Sequence, residues 1–340
     1  MNAPEQDWKA ELRAAYKDWS NLPSPSPQEA AALAKKMPIK ITPRYWQVIQ
    51  GTPLATTLLP QPAELHVQPG ESQDPMAEQA CSPLPGLIHK YPNRVLLLLT
   101  NQCAVHCRYC TRGRAVGQPG ASPDPDQVRG YLVAHPEVNE VILSGGDPFV
   151  LGDRQLSSWV ALLQSLPQIL VKRISTKVPL VLPSRIQTGL CGILSASGPW
   201  FVNLHVLHPL ELTPEVEQAL TRLRQAGCIL GSQTPLLQGV NDDATSLIQL
   251  NLRLLSLGVR PYALYQCDPV PGSGHFRTPL SQGLQLLAAL RCELGGMALP
   301  QLIADPPSGK VNLHPHNQTP SPGGGWKLKN WQGQEVEYLE

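Results

Sequence analysis

Three cysteines, Cys103, Cys107 and Cys110, stand within eight residues in the segment Asn101-Gln-Cys-Ala-Val-His-Cys-Arg-Tyr-Cys-Thr-Arg-Gly-Arg114. Spaced Cys-x3-Cys-x2-Cys, they offer three thiolates on one loop, each able to take one iron of a cubane cluster, whereas an electron-transfer [4Fe–4S] centre takes four. One iron then stays open, free to be chelated by a small molecule and to pass it an electron. Zinc completed by His106 or a distant residue is the other metal reading, although zinc favours paired Cys-x2-Cys units and four ligands. Unrelated buried thiols have no reason to crowd onto one loop. A second polar turn, Leu143-Ser-Gly-Gly-Asp-Pro148, brings Ser144, Gly145, Gly146 and Asp147 to the end of the next apolar run; alone, a Gly-Gly-Asp is only a turn after a strand.

Loops of this kind need rigid elements behind them, and from about residue 95 the sequence supplies a repeating set. Short β-branched or Leu-rich runs predict strands at Val95–Thr100, Val141–Ser144, Val171–Ser175, Phe201–Val206, Ile229–Thr234 and Pro261–Gln266. Helical apolar spacing falls between them at Asp126–Ala134, Arg154–Gln164, Gln187–Ser195, Pro214–Ala226 and Ala244–Leu257, with another helix near Ser281–Leu294. Thr213 before Pro214 is a ready helix cap. Repeated strand–helix units imply parallel pairing through right-handed crossovers, hence an α/β barrel or an open doubly wound sheet. Six units are too few for a closed eightfold barrel. In either case the reactive residues belong at the carboxyl ends of the strands, which is where both motifs fall.

The 340 residues suffice for one large domain with a peripheral extension. Lys plus Arg is 27 and Asp plus Glu 26, so a net charge of +1 gives no electrostatic reason to expect a nucleic-acid or membrane partner. No run approaches the ~20 apolar residues that span a bilayer, and the N-terminus is charged where a signal peptide is apolar, so a cytoplasmic location is expected. Eight cysteines scattered through a long chain argue for reduced thiols rather than a disulfide framework. The prolines concentrate at 22–86 and 300–322, marking irregular segments outside the repeats.

The cysteine spacing resembles the signature of the radical S-adenosylmethionine (SAM) superfamily, and the Gly-Gly-Asp turn resembles that superfamily's second element. Further stretches are similar to the lysine 2,3-aminomutase family from about residue 85 onward: Pro85-Gly-Leu-Ile-His-Lys-Tyr-Pro-Asn-Arg94, Val181-Leu-Pro-Ser-Arg-Ile186, Gly231-Ser-Gln-Thr-Pro-Leu-Leu-Gln-Gly-Val-Asn-Asp242, Tyr265-Gln-Cys-Asp268, His275-Phe-Arg-Thr-Pro279 and Asp305-Pro-Pro-Ser-Gly-Lys310. The resemblance implies a partial (β/α)6 barrel at 85–300, an N-terminal mainly helical extension at 1–84 and a C-terminal segment at 301–340 that carries pyridoxal 5′-phosphate (PLP). It implies three cofactors. A [4Fe–4S] cluster would sit on the three cysteines; SAM would lie against Ser144, Gly145, Gly146, Asp147, His205 and Gln233; and PLP would form a Schiff base with Lys310, its phosphate gripped by Lys90, Tyr91 and Arg94. A small amino-acid substrate is implied, its carboxylate on Arg112 and a distal ammonium on Asp268 and Asp305. A cation at one end of a pocket and anions at the other suit lysine.

The implied activity is that of an isomerase, an intramolecular aminotransferase that interconverts L-lysine and β-lysine by 1,2-amino migration, fed by an electron donor such as flavodoxin or ferredoxin. The alternatives are the branch that makes (R)-β-lysine for elongation factor P, and an aminomutase for another amino acid. Two departures from the family stand out. The glycine run before the PLP lysine is shortened to Ser308-Gly309, and Asp243 replaces a cysteine that serves a structural zinc in some members, so no zinc site is expected. The family's homo-oligomeric assembly is possible here, and Cys81, Cys191, Cys228, Cys267 and Cys292 read as buried or unassigned thiols.

Overall fold

Apolar runs of five to eight residues, each closed by a polar turn and followed by an amphipathic helix, fold as the repeating units they predict. The computed structural model describes residues 7–20, 22–23, 25–118, 120, 122–314, 318–322 and 325–338; the first six residues of the expected extension and the last two of the C-terminal segment lie outside them. First come α1 (Trp8–Arg13), α2 (Pro27–Lys36) and α3 (Pro43–Ile49), then a hairpin of β1 (Leu87–Tyr91) and β2 (Arg94–Leu98). The repeats run α4 (Pro125–Ala134), β3 (Glu140–Ser144), α5 (Asp153–Gln164), β4 (Val171–Thr176), α6 (Val178–Val181), α7 (Thr188–Ser195), β5 (Phe201–His205), α8 (Pro214–Gln225), β6 (Ile229–Leu236), α9 (Ala244–Ser256) and β7 (Val259–Gln266). After α10 (Leu280–Glu293) come β8 (Gln301–Ala304) and β9 (Val311–Asn312), and then a separate small sheet of β10 (Gln318–Pro320), β11 (Trp326–Lys329) and β12 (Glu335–Tyr338). Local chemistry fixes the helix starts: Thr213 caps α8, and Asp243 accepts the Ser246 N–H at 2.8 Å to cap α9.

Strands β1 to β9 form one sheet in sequence order, parallel from β2 to β8 and antiparallel at both edges. Because the order never reverses, every right-handed crossover steps the same way and the helices gather on one face. A doubly wound sheet, whose order reverses, is thereby ruled out. The bare face bends strongly. Lys90 Nζ on β1 lies 3.9 Å from Asp305 Oδ1, just past β8, although seven strand spacings of about 4.8 Å would separate those strands by roughly 34 Å in a flat sheet. Arg173 on β4 likewise lies 5.8 Å from the Tyr262 ring centroid on β7.

Two expectations change. The parallel strands number seven rather than six, because Gln301–Ala304 continues the sheet where prolines pointed to irregular chain; a boundary at residue 300 therefore cuts through the sheet. The described residues before 85 form α1 to α3 and irregular chain, and they are no separate body. Leu22, Ile39, Ile41, Tyr45, Trp46, Ile49, Leu54 and Leu58 share one apolar core with the strands and helices of the repeats. No helix among the described residues is long and apolar enough to cross a membrane.

Candidate active site

The bent face encloses a cavity of about 520 Å³, inside the ~300–1,000 Å³ range of small-molecule sites. Every site residue expected from the sequence lines it: the three cysteines, Lys90, Tyr91, Arg94, Arg112, Ser144, Gly145, Gly146, Asp147, His205, Gln233, Asp268, Asp305 and Lys310. A more open depression of about 680 Å³ lies at the opposite strand ends, around Ile229 and Arg260, and holds none of them.

Two loops form the cluster end. The Gly-Gly-Asp turn lies directly on the cysteine loop, with Gly146 N–H donating to Thr100 O and Asp147 N–H to Gln102 O at 2.8 Å. Glycine is required by this approach: a Cβ on Gly145 (φ +121°) would lie 2.4 Å from Thr100 O, and one on Gly146 2.1 Å from Gln102 O. Asp147 was expected to contact SAM, but its carboxylate is fully engaged within the protein. Oδ1 accepts from Phe149 N (3.0 Å) and Thr176 Oγ1 (2.7 Å), Oδ2 from Lys177 N (2.7 Å) and Val178 N (3.1 Å). Asp147 thus locks the turns after β3 and β4 together and leaves the glycine backbone at the cavity.

Burial, reinforced by the neighbouring sulfurs, raises the Cys103 thiol well above its ordinary value and pushes Cys110 up to about 11; burial also raises Cys107, against the pull of Lys177. Thiols that resist ionising alone become thiolates when an iron centre supplies positive charge, so the donor set fits a metal cluster. Among the described residues no three His, Cys, Asp or Glu side chains converge tightly enough to hold one ion, as a zinc site completed by His106 would require. A cubane instead spreads its thiolates over separate irons.

Residues 37–78 form a strap over the cysteine loop, a feature with no local sequence signature. Lys40 Nζ donates to Cys103 O at 2.6 Å, His106 N to Lys40 O at 2.9 Å and Arg108 N to Thr57 O at 2.8 Å. Three loop arginines meet three strap carboxylates. Arg108, with a wholly buried side chain, grips Glu64 at 2.6 Å; Arg112 binds Glu78 at 2.5 and 2.9 Å; and Arg114 reaches Asp74 at 3.2 Å. Arg112, expected to face a substrate carboxylate, therefore already holds one carboxylate of the protein.

At the other end, Lys310 Nζ donates to Tyr265 Oη at 2.7 Å and lies 3.9 Å from Asp305 Oδ2. Burial opposes its charge, but Tyr265 and Asp305 prevail and raise its pKa. The short Ser308-Gly309 approach works because Gly309 adopts φ +109°, where a Cβ would strike the Trp331 indole at 2.9 Å, and Tyr91 Oη accepts the Lys310 N–H at 2.8 Å. Asp268 is pushed up to about 8 by burial and by Asp305. Burial raises Asp305 also, with Lys310 and Lys90 pulling it back. Lys90, expected on a phosphate, is committed elsewhere, to Met76 O (2.9 Å), Pro306 O (3.4 Å) and Asp305. Arg94 stacks over the Tyr91 ring at 3.9 Å and stays at the cavity.

His205 and Gln233 are register partners on β5 and β6, both on the cavity face. Burial and Lys177 lower His205 to about 3, so the ring is neutral and bonds Tyr109 Oη at 2.8 Å. Beneath them Lys177 Nζ and Tyr45 Oη both donate to the buried Glu211, at 2.7 and 2.6 Å. Tyr109, Lys177, Glu211 and Glu78 carried no local sequence signal. Of the remaining cysteines, Cys228 and Cys267 are buried, Cys81 and Cys191 half-buried and Cys292 exposed.

No family model matches the sequence. The L-lysine 2,3-aminomutase of Fusobacterium nucleatum is 37% identical over 309 residues, covering 88% of this chain and 73% of that protein. The glutamate 2,3-aminomutase of Clostridioides difficile is 31% identical over 87% of this chain and 72% of that protein. The solved structure of Streptococcus suis SuiB bound to S-adenosylmethionine aligns with 63% of this chain and 51% of its own at 12% identity and a TM-score of 0.48.

Proposed function

The chain belongs to the lysine 2,3-aminomutase family of isomerases, and from that premise we propose that it moves the α-amino group of free L-lysine to the β-carbon. The observation that carries this reading is a single cavity with a guanidinium at one side and two paired carboxylates beside a lysine at the other. Burial and Asp305 keep Asp268 raised even with Lys310 and Arg277 nearby, and a distal ammonium beside it would favour its charged form. Glutamate, the substrate named for the Clostridioides difficile relative, would set a third carboxylate against them.

In this reading Cys103, Cys107 and Cys110 would hold a [4Fe–4S] cluster, the Gly145-Gly146 backbone with His205 and Gln233 would wall the SAM site, and Lys310 would hold PLP, with Arg94 available to its phosphate. When bound, these groups supply a deoxyadenosyl radical and a π-system that stabilises the migrating nitrogen, with the electron from a flavodoxin- or ferredoxin-type donor. The protein's own work is positional. Arg112 fixes the substrate carboxylate and the aspartate pair its far ammonium, so the chain between them is held at two points. The bent sheet, an open barrel on this reading, and the strap keep bulk water from the reacting carbons.

Anaerobic incubation of the reconstituted protein with lysine, SAM, PLP and a reductant should give β-lysine, and chiral analysis of the product separates this reading from the elongation-factor-P branch. Conversion no greater than that of Lys310→Ala would reject it.

A further inference from the structure

We infer that Glu78 is a positioning residue for the substrate's carboxylate: it clamps one edge of the Arg112 guanidinium so that the other edge faces the cavity. The inference deepens the aminomutase reading and rests on it for the role of Arg112.

A guanidinium has five N–H donors in a rigid plane, and two of its edges present parallel pairs that fit a carboxylate. Glu78 occupies the Nε/Nη2 edge, with Oε2 accepting from Nε at 2.9 Å and Oε1 from Nη2 at 2.5 Å. Both Nη1 hydrogens and one on Nη2 are left over. Among the described residues Nη1 makes one hydrogen bond, a marginal one to Ser144 Oγ at 3.5 Å. That end-on edge is a complete bidentate donor site for a carboxylate, and both side chains line the cavity.

Glu78 is itself held on both sides. Its backbone N–H donates to Asp74 Oδ1 at 3.1 Å, the same oxygen that takes Arg114, and two residues earlier Met76 O is held by Lys90 at 2.9 Å. With its residue only 7% exposed, Glu78 has little freedom to swing away. A flexible surface arginine would bind a carboxylate in many geometries; this one is fixed before the ligand arrives. The arrangement trades raw attraction for direction, because a guanidinium already paired with one anion draws a second less strongly while holding it in one plane.

The test compares lysine with lysinamide, whose carboxylate is replaced by a neutral amide, using the ratio of their kcat/KM values. Glu78→Gln is isosteric, but it presents an amide N–H to Arg112 and loses the paired acceptor edge. The ratio should fall about tenfold, mainly through KM for lysine, with iron and PLP content unchanged. In an Arg112→Lys background the same substitution should have no further effect on the ratio. Thermal stabilisation by lysine relative to lysinamide should shrink in parallel. Should Glu78→Gln fail to fold, Glu78→Asp, which withdraws the charge by one methylene, carries the same expectation. An unchanged ratio, with both substrates falling together, would show a merely structural role and overturn the inference. Absence of lysine turnover in the wild type would instead strike the aminomutase reading, and the thermal comparison would still decide the clamp.

Discussion

Burial and the neighbouring Asp305 hold Asp268 well above an ordinary carboxyl even though Lys310 and Arg277 pull the other way, so the pair should make its function visible as a stability defect. Asp268 titrates at about 8 in the folded chain and near ~3.9 once unfolded. A carboxyl whose folded pKa is raised holds its proton more tightly in the fold; its contribution is full below the unfolded value and is lost as pH rises through the folded one. The window is therefore about pH 4 to 8. Asp268→Asn cannot lose that proton, and the melting temperature of the variant relative to the wild type, both free of substrate, should climb by several degrees between about pH 5 and pH 8.5. Added lysine should erase much of the difference by stabilising only the wild type. A difference that stays flat across this range would mean the aspartates are charged and satisfied without a ligand, and the distal-ammonium pocket would lose its physical basis.

At the scale of elements, the contact between the cysteine loop and the turn after β3 decides whether the cluster end assembles. Gly146→Ala places a methyl 2.1 Å from the Gln102 carbonyl, an overlap that backbone must relieve at a cost of about 1–3 kcal/mol. The variant should melt lower and take up less iron and sulfide on reconstitution. Gly130→Ala on α4 is its control, because nothing lies within 4 Å of that added carbon, and a mid-helix Gly→Ala change should be neutral or stabilising by up to ~1 kcal/mol. Equal iron uptake by the two variants would refute the close-approach account. The strands between residues 94 and 266 were legible because each is a run of apolar residues ended by a polar turn, and they fall within a residue or two of expectation. β8 was not: four residues after Pro300 carry too little periodicity, and only pairing with β7 makes them a strand. The same divide runs through the site. Residues on the two motif loops could be read, whereas Glu64 lies 44 residues from Arg108 and Tyr45 lies 166 from Glu211, so no local pattern joins them.

Across the whole molecule, no physical break separates the residues before 85 from the repeats, since the strap both shares the core and grips the loop that would hold iron. The Arg108–Glu64 pair tests this most directly. Arg108 stands between two of the cysteines, its side chain is wholly buried, and Glu64 supplies both oxygens while Met37 O takes Nη1 at 3.0 Å. Removing one partner of such a pair strands the other charge without water, a loss of about 3–5 kcal/mol, whereas replacing both with apolar side chains of similar volume is often neutral. Glu64→Ala should therefore lower the urea midpoint strongly, and the double variant Glu64→Leu with Arg108→Met should recover most of it. Iron retention in air separates the strap's two roles. If the strap only stabilises the fold, the double variant keeps its iron as long as the wild type does; if the strap also seals the loop against solvent and oxygen, the double variant is stable yet bleaches faster. We expect the second outcome, because the ionic grip fixes where the loop sits and an apolar pair of the same volume does not. Wild-type stability in Glu64→Ala would show that the extension merely rests on the site it covers.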